Sequence, residues 1–166
     1  MFQLLQVMSA ILVSVAMALA LAHALELPGK MRLSKEAYLA VQPIYYPGFT
    51  MGGGIGEGGG MIVLLALLAL TPYASTRFWW TLAAFVLLLA MHLIYWVVTH
   101  PVNNFWIKDI EMTGLGATFF SLLAPSAAEA GAEWSKLRDM WEYSHVARAV
   151  LAMLSLISLM IATTEA

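Results

Sequence analysis

Ionisable side chains stand at or inside long apolar segments of this 166-residue chain, where such groups are costly and mark functional sites. Two pairs have members three residues apart, a spacing that puts both side chains on one face of a helix. They are His23 with Glu26 and Glu142 with His145. Glu57 lies among the glycines of "GGGIGEGGG", directly before an apolar run. The other groups of this kind are His92, His100 and Arg148.

Carboxylates and imidazoles supplied by several helices of a bundle are the ligands of the di-iron carboxylate proteins. We therefore predict a transition-metal site, with iron or copper as the metal and zinc or manganese as alternatives. The analogy is incomplete, because the chain has one Glu-x-x-His and one reversed His-x-x-Glu. The predicted ligands are His23, Glu26, Glu57, His100, Glu142 and His145.

The same groups can act without a metal, since a buried Glu beside a His is a proton-abstracting pair. In this alternative the catalytic residues are Glu57, His145 and Arg148, with Arg148 neutralising a carboxylate or binding an anionic substrate oxygen. Haem ligation by two histidines is a third alternative. Each residue also has an ordinary structural interpretation, for example His92 as a hydrogen-bond partner of a neighbouring helix.

The composition indicates an integral membrane protein: 61% of residues are hydrophobic, 11% are charged, and the mean hydropathy is +0.81. Ordinary globular domains carry roughly 25% charged residues. The chain has no cysteine, which excludes disulfides, thiolate metal sites and a cysteine nucleophile. The net charge is −2, so we expect no nucleic-acid partner and instead expect contact with the lipid bilayer.

The apolar runs predict an all-α, integral membrane four-helix bundle in one domain, 1–166, with spans at about 4–25, 51–71, 78–100 and 141–162. We predict that the first span is retained, because it lacks the basic start of a signal peptide. It should end near Pro28 and Gly29, and the third span should end before Pro101. Asn103 and Asn104 follow, either orienting ligands or forming a turn.

The second span decides where Glu57 lies. Counted from Met61 to Thr71 it has 11 residues, which as a helix reach about 16 Å, half a bilayer. Because Pro72 blocks extension forwards, the length favours a helix that extends back through the glycines over a mobile loop. The glycines also form GxxxGxxxG, a spacing that lets helices approach closely, within the chain or in a homo-oligomer. They are Gly52, Gly56 and Gly60.

The distribution of basic residues predicts the orientation. Most lie in two long connections, 26–50 and 101–140, and only Arg77 flanks the opposite face. The positive-inside rule then puts the long connections in the cytoplasm, with the polar groups toward that face of a bacterial inner membrane. The basic residues concerned are Lys30, Arg32, Lys35, Lys108, Lys136 and Arg138.

Four segments resemble a bacterial membrane protein family that is grouped with the fungal anthrone oxygenases: "AHALELPGKM", "YYPGF", "THPVNNFW" and "LRDMWEYSHVARAVL". The most specific parts are "HPVN" at 100–103 and the W-E-x-x-H-x-x-R pattern of Trp141, Glu142, His145 and Arg148. The resemblance implies a four-helix membrane protein. In its best-known branch it implies oxidation of a phenolic anthrone to an anthraquinone by O₂, an activity described as needing no added cofactor.

Two classes of function follow from these observations. The first is a membrane oxidoreductase or oxygenase that acts on a hydrophobic small molecule through the His/Glu cluster. The second is a small non-enzymatic membrane protein: a proton or metal-ion transporter, or a haem-binding subunit. A transport path needs polar groups across the whole membrane, whereas the ionisable groups here gather toward one face.

Overall fold

The computed structural model of the chain describes residues 1–106 and 133–165, without the side chain of Asn104. The described secondary structure is helical throughout, as the sequence predicts. Four helices are long and apolar enough to cross a membrane. In chain order the helices are α1 (Phe2–Lys30), the short α2 (Lys35–Val41), α3 (Gly48–Ala69), α4 (Thr76–Ile94, continuing to Trp106) and α5 (Trp134–Thr164).

The first long helix runs to Lys30, past Pro28 and Gly29, where we predicted that it stops. Pro28 lies in its last turns, where the missing proline N–H removes one helical bond. The backbone N–H of Met31 nevertheless donates to the carbonyl of Leu27 at 3.0 Å, so helical bonding continues past the proline. Lys30 consequently belongs to a helix rather than to a loop, and its side chain is buried.

The glycine-rich segment is helical and belongs to the second span, as the length argument predicts. The helix α3 comprises an α-helical turn (Gly48–Gly53), a π-helical turn (Gly54–Gly59) and a longer α-helix (Gly60–Ala69). These 22 residues can cross a membrane. Glu57 therefore lies inside the span, about 13 Å from its start at 1.5 Å per residue, and it is buried.

The glycine spacing serves packing within the chain. A Cβ atom at Gly56 would lie 2.8 Å from the backbone nitrogen of Ala16 in α1, so only glycine allows this approach. At Gly52 and Gly60 an added Cβ would crowd Leu19 and Leu88. A homo-oligomer through Gly52, Gly56 and Gly60 would have to displace α1 from this face.

The third span also passes its predicted end. A π-helical turn, Tyr95–Thr99, precedes Pro101, and the helix then continues from His100 to Trp106. The wider turn lies where Pro101 offers no N–H to the helix, and π turns absorb such irregularities. The fourth long helix begins at Trp134, seven residues before the predicted start. The segment 107–132, which contains Lys108, lies outside the described residues.

The four long helices pack in a ring, in which α1 and α4 each contact α3 and α5. One half of the ring has an apolar core that includes Val13, Leu64, Leu88 and Leu159. The other half lies where α1 and α4 end and α3 and α5 begin. There α2 and the following 3₁₀ turn (Gln42–Tyr45) add an aromatic cluster, and the ionisable groups gather beneath it. Its buried members are Tyr38, Tyr45, Val102, Trp106, Leu137 and Trp141.

Candidate functional site

A cavity of about 640 Å³, counting its open mouth, lies in the polar half of the ring. All four long helices and the segment between α2 and α3 contribute to its walls. The walls are mainly aromatic, with few polar groups, which is the usual character of a small-molecule site. The aromatic residues are Tyr45, Tyr46, Phe49, Tyr95, Trp96 and Trp141, and the charged or imidazole groups are His23, Glu57, His92, His145 and Arg148.

Glu57 is held by two donors at the cavity wall. Arg148 of α5 forms an ion pair and a hydrogen bond with Glu57 Oε1. His92 Nδ1 of α4 lies 3.1 Å from Glu57 Oε2. The indole of Trp96 donates to His92 Nε2 at 2.8 Å, and an indole N–H can only donate. Nε2 of His92 is therefore the acceptor, and its Nδ1–H donates to Glu57.

The partner of His145 fixes its ring in the same way. Arg148 Nη1 lies 3.2 Å from His145 Nδ1, and a guanidinium can only donate. Nδ1 is thus the acceptor, and the proton of the neutral ring is on Nε2. His145 Nε2 is buried and has no hydrogen-bond partner among the described residues, although its side chain lines the cavity. Such an unpaired buried donor is costly, and a ligand oxygen would satisfy it.

A second polar cluster surrounds the ammonium group of Lys30, next to the cavity. Lys30 Nζ lies 2.9 Å from Glu26 Oε2 and 3.6 Å from Glu142 Oε1. It also lies 3.4 Å from His23 Nδ1 and 4.4 Å from the centre of the Tyr45 ring. A buried lysine needs such partners. Two acidic side chains and an aromatic face therefore neutralise the charge of Lys30.

Two tyrosines outside the spans complete this second cluster. The hydroxyl of Tyr38 donates to Glu142 Oε1 at 2.9 Å, and that of Tyr45 donates to Glu26 Oε2 at 2.7 Å. Burial raises the pKa of both phenols, and the neighbouring carboxylates raise the pKa values further. Both hydroxyls therefore stay protonated and remain donors.

Ring contacts join the two clusters. The ring centroids of His23 and His145 are 4.1 Å apart, and the ring of Trp141 lies 4.4 Å from that of His145. The Trp141 indole donates to Asn103 Oδ1 at 2.6 Å, and the Tyr46 hydroxyl donates to the same oxygen at 2.8 Å. Asn103 lies in a helix rather than in a turn and fixes two side chains of the cavity wall, neither of which is a predicted ligand. The side chain of Asn104 lies outside the described residues.

The predicted site residues fall into three places. His23, Glu57, His145 and Arg148 line the cavity. Glu26 and Glu142 bind Lys30 beside it. His100 is buried outside the cavity lining, with its Nδ1 3.2 Å from the Tyr95 hydroxyl. The list of predicted residues omitted Lys30, Tyr38 and Tyr45; a helix continued through Pro28 would have placed Lys30 one turn beyond Glu26 and on the same face.

The donor set is poorly arranged for a metal. Among the described residues no three His, Asp or Glu side chains are grouped to hold one ion. Glu57 is already bound by Arg148 and His92, and Glu142 Oε1 by Tyr38 and Lys30. A metal at the cavity would have to compete with these hydrogen-bond donors for the carboxylates. The metal site therefore remains a prediction that this geometry does not favour.

Comparisons with protein-family models, curated proteins and solved structures found no match to this chain. The resemblance to the anthrone-oxygenase-like family consequently stays a prediction based on the four quoted segments. The structure itself defines a broader class: an all-α chain with four helices able to cross a membrane and a mainly aromatic cavity among them.

Proposed function

We propose that this protein is a membrane-embedded oxidoreductase that oxidises a hydrophobic aromatic molecule in the cavity. One observation carries the proposal: the buried His145 Nε2, unpaired among the described residues, stands in an aromatic-lined cavity beside the Arg148–Glu57 pair. Aromatic walls bind a planar apolar ring, while a single N–H donor fixes its orientation. The resemblance to anthrone oxygenases points independently to the same substrate class.

The charges of the cavity favour a neutral ligand. Arg148, the cation in the described cavity wall, already forms an ion pair with Glu57. A carboxylate or phosphate ligand would have to displace Glu57 and leave a buried carboxylate without its partner, which is costly. A carbonyl or phenolic oxygen needs only the His145 N–H. The proposed substrate is therefore a polycyclic ketone or phenol of the anthrone type.

The cavity residues can assist the reaction of such a ketone with O₂. Glu57 accepts a proton from the carbon that is conjugated with the carbonyl group, and the negative charge moves to the carbonyl oxygen. The neutral His145 ring and Arg148 stabilise that oxygen, as preorganised donors do at other enolates. The carbanion adds O₂, and the proton returned from Glu57 gives a hydroperoxide. Loss of water leaves a new ketone, so CH₂ and O₂ become C=O and H₂O.

This sequence of steps uses side chains alone. His23, Glu57 and His145 are the predicted metal ligands that reach the cavity. Glu57, the carboxylate among them, is already bound by Arg148 and His92. We therefore propose the metal-free alternative. Metal analysis of the active, purified protein tests it: stoichiometric iron or copper whose removal abolishes activity would contradict the proposal.

The proposed setting is a bacterial inner membrane with the cavity toward the cytoplasm. Arg32, Lys35, Lys136 and Arg138 all belong to the cavity end of the described chain, whereas Arg77 lies at the other end. Lys30, which we counted as a loop residue, is buried and contributes nothing to this bias. The positive-inside rule still favours this orientation.

Oxygen uptake by the protein in lipid vesicles tests the activity. Addition of anthrone should start O₂ consumption above the rate of spontaneous oxidation, with one anthraquinone formed per O₂. Replacement of His145 by Leu should abolish the excess rate, because it removes the N–H group that donates to the carbonyl oxygen of the substrate. Uptake that never exceeds the protein-free rate would refute the proposed reaction.

A further inference from the structure

One glycine of α3, Gly54, lines the cavity although none of the described residues packs closely against it. Gly56 is required by the close approach of α1. At Gly54, by contrast, an added Cβ atom would have nothing within 4 Å, and Gly54 is exposed while lining the cavity. Glycine weakens a helix by about 1 kcal/mol relative to alanine. A glycine that no neighbour requires therefore calls for another explanation.

The exposure of the cavity residues locates the mouth. Those on α5, Trp141, His145 and Arg148, are all buried. On α3 and α4, in contrast, Gly54 is exposed, and the side chain of His92 is 27% exposed. Gly54 lies six residues into a span, about 9 Å from its start, where the outer surface of a membrane protein faces lipid. The opening is therefore on the side of the bundle.

We propose that the ligand enters laterally from the bilayer, between α3 and α4, and that Gly54 keeps this entrance open. This inference rests on the proposed function for the identity of the ligand. A hydrophobic polycyclic ketone partitions into lipid, so an entrance at this depth spares it a passage through water. Because glycine has no side chain, the gap between α3 and α4 at Gly54 stays open for a planar ring system.

Entry kinetics distinguish a gate from a binding contact. A side chain that narrows the entrance slows association and dissociation by the same factor and leaves Kd unchanged, whereas a lost ligand contact changes Kd. The probe is anthraquinone in vesicles that contain the full-length protein. Its binding is followed by quenching of tryptophan fluorescence, because Trp96 and Trp141 line the cavity.

We expect Gly54→Leu to lower both rate constants about tenfold without changing Kd. Gly58→Leu is the matched control: Gly58 lies in the same π-helical turn, an added Cβ there also meets nothing within 4 Å, and the residue is not part of the cavity wall. It should leave both rates as they are. Both variants raise helix propensity equally, so folding is not at issue.

Unchanged rates in Gly54→Leu, or equal slowing in Gly58→Leu, would overturn the lateral entrance alone. Absence of anthraquinone binding by the wild-type protein would overturn both the entrance and the proposed function. Binding without oxygen uptake from anthrone would refute the reaction and leave the entrance supported by its own rates.

Discussion

The two halves of the helix ring are built from the same four helices but bury different groups: apolar side chains in one half and charged side chains in the other. In the apolar half, Val13, Leu64, Leu88 and Leu159 are fully buried, and uncharged side chains donate to backbone carbonyls. Ser155 Oγ, for example, donates to the backbone carbonyl of Ala84 at 2.7 Å. In the cavity half, charged groups from different helices bind one another across the bundle. The apolar half therefore stabilises the ring. The cavity half lowers that stability, because it buries polar atoms such as His145 Nε2 that have no partner among the described residues.

The halves should differ most in their response to loss of a charge. Arg148→Met leaves Glu57 buried with only the His92 N–H as partner, and removing one member of a buried pair costs about 3–5 kcal/mol. The free energy of unfolding in detergent micelles measures this loss. Adding Glu57→Gln should recover part of it, because no buried charge then remains uncompensated. A double variant as unstable as Arg148→Met would show that packing rather than charge holds this half together.

A pair of substitutions should separate stability from binding. Leu88→Ala in the apolar half should lower the free energy of unfolding by about 2 kcal/mol and leave the anthraquinone Kd unchanged. His145→Leu should act mainly on binding: Kd weakens about tenfold through the lost hydrogen bond to the ligand. The loss of the Arg148 Nη1 acceptor should lower the free energy of unfolding by about 1 kcal/mol, less than in Leu88→Ala. His145→Gln, which keeps an N–H donor, should restore much of the affinity. Unchanged affinity in His145→Leu would contradict the proposed ligand contact.

The smallest expected effect concerns Tyr38 of the short helix α2, which lies next to the cavity. Tyr38→Phe removes the hydrogen bond to Glu142 and should cost about 1 kcal/mol at neutral pH. Burial raises the Tyr38 pKa, so above the unfolded value of about 10 the unfolded state loses a proton that the folded state keeps. Wild-type stability should therefore fall with rising pH there, and the gap to Tyr38→Phe should narrow. Tyr73→Phe, at an exposed residue, gives the control and should leave the stability at neutral pH unchanged.

Hydropathy and length were sufficient to predict the four spans. The span-length argument also predicted that the glycine-rich segment is helical, since only a helix through Glu57 reaches across a bilayer. Helix ends were predicted less well. Pro28 and Pro101 were read as stops, but tertiary contacts of Lys30 and a π-helical turn carry the chain past them. The prolines themselves cannot show that a helix continues past them, because the residues that stabilise the continuation come from distant segments of the chain.

The sequence identified many of the ionisable residues of this half of the ring, but it did not predict which of them bind one another. The ionisable groups inside spans identified the cavity half, and Arg148 does neutralise a buried carboxylate, one of its predicted roles. Which carboxylate it meets depends on the rotation of α3 about its axis, and no periodicity in the sequence fixes that rotation. The same uncertainty kept Glu142 among the cavity residues, although it binds Lys30 and Tyr38 beside the cavity.

The π-helical turns Gly54–Gly59 and Tyr95–Thr99 have a consequence for sequence change by insertion and deletion. A π turn holds about one residue more than an α turn over the same full rotation, so deleting one residue there leaves an ordinary α turn and keeps the helix faces on its two sides in register. The same deletion in an α-helical part of α3 or α4 rotates one side of the helix by about 100° relative to the other and turns its side chains away from their partners. These two turns are consequently the places in α3 and α4 where the loss of a single residue should disturb the packing of the ring least.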